Sequence, residues 1–258
     1  MTAPARMPFA ARLRLLRNKR YDDWWHIVFG GPWGVLIAAV IADVRWITPN
    51  LVTLVGFVMR LTGAGLLLVR APWADVTALA MLEVSLVLDI TDGSLARYRK
   101  QPSALGAFLD KVTDGASLAT LGFLLGYRAW LDGHGALHLL AGAFIGTAYL
   151  LRCYMYWVVA YLQRDRGAPS TTGPGQVGAF GELSFGARMR YYVAQTWKIV
   201  MFGEGDVYFW VGLAIVLGRT ADVVLLLAST MALWLVLIGA KRIGAVMRLD
   251  REARAKAS

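Results

Sequence analysis

Apolar residues fall in seven runs, at about 27–44, 51–69, 76–91, 104–127, 135–162, 207–218 and 221–240, separated by short polar stretches. Crossing the hydrocarbon core takes roughly 20 residues, so most of these runs predict membrane helices in a single all-α integral membrane domain. The run at 27–44 contains Gly30-Gly31-Pro32 and leads into Asp43 and Arg45. It is expected to lie in or dip into the interface, continuing a basic amphipathic helix at about 8–20; the alternative is a seventh span. The run near Val207 is too short to cross unless it begins around Met201, which would put Glu204 and Asp206 at the cytoplasmic mouth.

Composition sharpens this picture. Of 258 residues, 57% are hydrophobic and ten are Trp, an apolar share above that of an ordinary soluble domain. The net charge of +10 sits at the run ends, where anionic lipid headgroups explain it better than nucleic acid. Arg6, Arg12, Arg14, Arg17, Lys19 and Arg20 precede the runs, and Lys241, Arg242, Arg248, Arg251, Arg254 and Lys256 follow them. The positive-inside rule then makes both ends cytoplasmic. An even number of crossings follows, so six spans are expected after the interfacial region. The outside loops hold Arg70, Arg128 and Arg219, and the membrane is expected to be the cell inner membrane. The layout reads as an N-terminal arm with interfacial helices (1–48), a six-helix catalytic domain (49–242) and a basic tail (243–258). No cleavable signal peptide is expected. Cys153 is the only cysteine, so no intrachain disulfide can form. Gly173 to Gly178 fits G-x-G-x-x-G, but without a preceding strand it reads as a loop within the soluble stretch 163–204.

The chemistry concentrates between the second and third long runs. Asp89 and Asp92 are spaced i,i+3, and Asp110 and Asp114 i,i+4, so each pair shares one helix face. The break Lys100-Gln101-Pro102 lets the second helix fold back beside the first, so four carboxylates converge. Divalent cations would offset their repulsion, and hard oxygen ligands suit Mg²⁺ or Mn²⁺. A two-metal site is the expectation.

The stretch "DITDGSLARYRKQPSALGAFLDKVTD" resembles the signature of the CDP-alcohol phosphotransferases (CDP-alcohol phosphatidyltransferases), D-x2-D-G-x2-A-R-x8-G-x3-D-x3-D, at every fixed position. Thr48-Pro49-Asn50-Leu51-Val52-Thr53 looks like the family's shorter P-N-x-x-T element. The resemblance implies six spans after an interfacial helix, a homodimer, and transfer of a phospho-alcohol group from a CDP-alcohol to a second alcohol with release of CMP. It implies a CDP-alcohol donor, CDP-diacylglycerol being the leading choice, and a small polar acceptor, phosphorylated or not. Asp89, Asp92, Asp110 and Asp114 are then ligands of two ions, with Asp114 also the general base. Gly93, Ala96, Arg97, Asn50 and Thr53 face the nucleotide and diphosphate, although Asn50 and Thr53 also suit a helix N-terminus. Gly106 allows close helix packing. Intramembrane prenyl transfer and divalent-metal transport are the competing readings.

The remaining polar residues within runs were assigned by depth. Arg60 and Glu83 lie at matching depths on neighbouring antiparallel spans and are expected to pair. Arg152 lies deep enough to meet an acceptor phosphate, with Glu204 and Asp206 as further acceptor contacts. His26, His134 and His138 are expected at the interface, away from the acidic cluster.

Overall fold

A computed structural model describes residues 7–17, 21, 23–167, 183–200 and 203–257, and among them every regular element is helical. The order is α1 (Phe9–Leu16), a π-helical turn (His26–Gly30) running into α2 (Gly31–Ile41), α3 (Pro49–Leu66), α4 (Pro72–Tyr98), α5 (Ala104–Leu131), α6 (Ala136–Asp165), α7 (Phe185–Gln195), α8 (Glu204–Val216) and α9 (Thr220–Ala257).

Local chemistry sets the boundaries of the helices that carry the motif. Thr48 caps α3, its hydroxyl accepting from the Leu51 N–H at 3.2 Å, with Pro49 in the first turn where a missing N–H costs nothing. Thr48, not Asn50 or Thr53, is therefore the N-cap. The expected reversal falls where Lys100 adopts a left-handed φ of 54° and Pro102 precedes the next cap. That cap is Ser103, which accepts from Gly106 N at 2.9 Å and starts α5. Arg99 turns inward, donating to the carbonyls of Ile41 (3.2 Å), Ala42 (3.1 Å), Val44 (2.9 Å) and Ile47 (2.8 Å). It closes the C-terminal end of α2 as basic residues do for unpaired helix carbonyls.

Packing pairs α3 with α4, α5 with α6, and α6 with α9, while α2 covers one side of α4 and α8 lies against α4 and α9. Small residues permit the α5–α6 contact. A Cβ on Gly126 would stand 2.5 Å from the His138 carbonyl, and one on Gly142 2.5 Å from the Gly122 carbonyl. The two backbones touch there, as in other small-residue membrane helix pairs. Leu82 and Leu86 of α4 join Leu118, Leu121 and Leu125 of α5, Ile145 of α6 and Val211 of α8 in the core. Outward positions such as Val58, Leu140 and Val236 stay exposed, as a lipid-facing surface requires. At the end of α4 and α5 remote from the aspartates, Arg128 forms a two-pronged ion pair with Asp75.

Among the described residues, three helical stretches are long and apolar enough to cross a membrane, Pro49–Val69, Ala136–Asp165 and Thr220–Arg254. Helices α4 and α5, of 27 and 28 residues, have the length but carry the charged motif. The apolar stretch His26–Ile41 is shorter than a span, whereas the sequence run extended to 44. Helix α8 begins at Glu204 and has 13 residues, about 20 Å.

Other expectations shift. The amphipathic helix expected at 8–20 is the shorter α1, and its Arg12 is buried, donating to Asp43 at 2.6 Å and the Ala39 carbonyl at 2.7 Å. Within 163–204 the described residues include the end of α6, α7 and a 3₁₀ turn at Thr196–Val200. The residues from Gly173 to Gly178 lie outside the described residues, as do Arg6, Lys19 and Arg20. Helix α9 runs unbroken across the boundary placed at 242/243.

Candidate active site

The two aspartate pairs face each other across α4 and α5. Asp89, Asp110 and Asp114 each offer an oxygen within 4.8 Å of the others. Asp92 lines the same cavity, of about 490 Å³, and accepts a short hydrogen bond from the Thr53 hydroxyl. This is a set of hard oxygen donors able to hold divalent cations such as Mg²⁺ or Mn²⁺. The volume falls in the range of small-ligand sites.

The cavity wall also includes Asn50, Gly93, Ala96, Arg97, Gly106 and Glu204. Two glycines in that wall stand against polar side chains. A Cβ on Gly93 would meet the Arg97 guanidinium at 3.1 Å, so Gly93 makes room for that side chain to fold back along α4, where it donates to Ser94 at 3.1 Å. A Cβ on Gly106 would meet Asn50 Oδ1 at 3.1 Å and Ser103 Oγ at 3.0 Å. Gly106 therefore admits the start of α3 at close range.

Arg60 and Lys111 between them hold three of the four aspartates. Arg60 reaches Asp89 (2.8 Å), Asp114 (3.0 Å) and Glu204 (3.4 Å). Lys111, which the sequence reading passed over, contacts Asp110 at 2.6 Å and Asp114 at 3.4 Å. The expected Arg60–Glu83 pair does not form. Glu83 instead accepts from the Trp25 indole N–H at 2.8 Å.

Of the acceptor candidates, only Glu204 faces the cavity, where it also accepts from the Tyr149 hydroxyl at 3.2 Å. Asp206 is fully buried as the first-turn partner of α8, accepting from the backbone N–H groups of Gly203 (3.1 Å) and Trp25 (2.9 Å). Arg152 stacks over the Tyr149 ring at 6.0 Å, beside Met231 and Trp234 and outside the cavity.

A wall that sequence reasoning missed comes from the segment before α2, where Tyr21, Asp23 and His26 line the cavity. His26 was expected at the interface; His134 and His138 do lie away from the cavity and contact each other. The His26 Nδ1 sits 2.5 and 2.6 Å from the two Asp23 oxygens, and Asp23 also accepts from Gly205 N at 3.3 Å, tying this segment to α8. Burial opposes the charged form of both groups. Their mutual attraction outweighs it, holding His26 above and Asp23 below the ordinary range. Burial also pushes the Tyr21 phenol up to about 12.

The raised His26 value means that its stabilisation is complete below the unfolded imidazole pKa of about 6.5 and is lost as pH rises through the folded value. The lowered Asp23 value gives stabilisation present above about 3.9 and lost on acidification. The pair should therefore stabilise most between those limits. Thermal unfolding followed across pH 5–9 is expected to show the wild type losing stability towards alkaline pH more steeply than Asp23→Asn. Parallel pH profiles would remove the ion pair.

Residues 46–217 match the family model described as CDP-alcohol phosphatidyltransferase. Over 96 residues the chain is 38% identical to a CDP-diacylglycerol–glycerol-3-phosphate 3-phosphatidyltransferase of Cereibacter sphaeroides, covering 34% of this chain and 42% of that protein. Over 84 residues it is 36% identical to a bifunctional IPC transferase and DIPP synthase of Thermococcus kodakarensis, covering 31% of this chain and 18% of that protein. The chain thus spans less than half the length of either relative.

Proposed function

The chain belongs to the CDP-alcohol phosphatidyltransferase family, and on that premise we propose that it moves a phosphatidyl group from CDP-diacylglycerol to the hydroxyl of a small polar alcohol, releasing CMP. The observation that carries this reading is the convergence of Asp89, Asp110 and Asp114 oxygens within 4.8 Å on a cavity that the signature's Gly93, Ala96 and Arg97 also line.

Asp89, Asp92, Asp110 and Asp114 would hold two divalent cations, which supply charge neutralisation on the diphosphate oxygens. Arg97 would donate to the diphosphate, with Asn50 and Thr53 at the nucleotide end. Asp114 takes the proton of the acceptor hydroxyl as its oxygen attacks the lipid-side phosphorus. The bond from that phosphorus to the bridging oxygen breaks, and CMP leaves. The Cereibacter relative's name includes glycerol 3-phosphate, and the cavity's Lys111 and Arg97 suit a phosphorylated acceptor of this kind.

Helices α3, α4, α5, α6, α8 and α9 are the six proposed crossings, with the aspartates opening to the cytosol. The short α8 is backed by α4 and α9, so it need not match the bilayer thickness alone. Sealed inverted inner-membrane vesicles holding labelled CDP-diacylglycerol test both points. Acceptor added outside should release CMP, and right-side-out vesicles should not. Release without acceptor, or from right-side-out vesicles only, would overturn the transfer or its orientation respectively.

A further inference from the structure

Arg60 lies on α3, outside both signature elements, and only 3% of it is exposed. A buried guanidinium is costly unless paired, and this one is paired three times, with carboxylates from three other helices. One terminal nitrogen meets Asp89 Oδ1 of α4 at 2.8 Å, and the other meets Asp114 Oδ1 of α5 at 3.0 Å and Glu204 Oε1 of α8 at 3.4 Å. Two of these carboxylates belong to the three-oxygen cluster. The guanidinium sits 5.9 Å from the centre of the buried Tyr208 ring. Its own helix is seated tightly, since a Cβ on Gly63 would stand 3.1 Å from the Ala78 carbonyl of α4.

We propose that Arg60 is a positioning residue for the cation-binding carboxylates, fixing one oxygen of Asp89 and one of Asp114 so that the second oxygen of Asp89, and that of Asp114 beside the cavity-lining Lys111, is presented to the cavity. This rests on the transfer reading above. A planar fork meets two carboxylates on different helices at set angles, which a lysine ammonium cannot reproduce. Outer partners that orient metal ligands contribute about 10–100-fold in metal affinity.

The test is Mn²⁺ titration of the purified full chain in detergent, with free Mn²⁺ read by electron paramagnetic resonance. Arg60→Lys keeps the charge and loses the fork, and its Mn²⁺ Kd should rise about 10–100-fold. Arg128→Met breaks the ion pair at the remote end of α4 and α5. It should lower the unfolding temperature while leaving the Mn²⁺ Kd unchanged. Wild-type affinity in Arg60→Lys would overturn the positioning role alone, whereas a wild type that binds no Mn²⁺ removes the transfer reading and the positioning with it. Should the lysine variant not fold, Arg60→Gln decides. Weaker binding supports positioning, and equal or tighter binding reduces Arg60 to a counter-charge.

Discussion

Asp114→Asn is expected to lower kcat by about 10²–10⁴-fold, the range a general base contributes, while binding of the CDP-alcohol changes little. The structure gives the reason for that split. Asp114 is 5% exposed, and Arg60 at 3.0 Å and Lys111 at 3.4 Å hold its two oxygens. An amide of the same shape still accepts from Arg60, so the helix contacts survive. It cannot take a proton from the acceptor hydroxyl, a function that matters in the transition state more than in the ground state. Donor affinity is measured by equilibrium binding, and turnover by CMP release at saturating donor. Lost donor affinity with unchanged turnover at saturation would make Asp114 a ligand only.

Asp89→Asn and Asp110→Asn should lose at least the roughly 10–100-fold that removing an outer partner of a metal site costs, and both should need more divalent cation to reach half-maximal rate. The two residues are held differently. Asp89 is bound by the buried Arg60, so its replacement also leaves that guanidinium under-paired and should lower the unfolding temperature. Asp110, tied to the half-exposed Lys111, should lose cation affinity with little change in stability. The measurement is rate against Mg²⁺ concentration with unfolding temperature recorded beside it. Full wild-type activity in excess EDTA would remove the metal requirement altogether.

Much of this was legible in the sequence because it is local. The i,i+3 and i,i+4 aspartate spacings define helix faces, and Pro102 with Ser103 marks the reversal that brings those faces together. The apolar runs correspond in order to α2, α3, α4, α5, α6, α8 and α9. What failed was reading depth without azimuth. Nine residues separate Glu83 from Asp92, about two and a half helical turns, so Glu83 points away from the motif face. Seven residues separate Thr53 from Arg60, close to two full turns, so Arg60 shares the face from which Thr53 meets Asp92. The long arginine side chain then reaches the aspartates. The same angular check, applied to the sequence, would have found it.

The Asp23–His26 wall had no such signal. Its place depends on contacts such as Trp25 N to Asp206, 181 residues apart in the chain, and on Gly203 and Gly205. A Cβ on Gly205 would stand 2.6 Å from the His26 ring, and one on Gly203 2.4 Å from Asp23. Those glycines carry a packing requirement that no local periodicity encodes.

In the proposed transfer, the carboxylates of α4 and α5 would hold the divalent cations on which the donor diphosphate is bound. Anomalous diffraction at the manganese edge from crystals grown with Mn²⁺ and a CDP-alcohol tests it most directly. Two manganese peaks are expected between α4 and α5, ligated by Asp89, Asp92, Asp110 and Asp114, with the diphosphate beside Arg97. A diphosphate bound there without metal, or manganese bound only elsewhere on the chain, would contradict it.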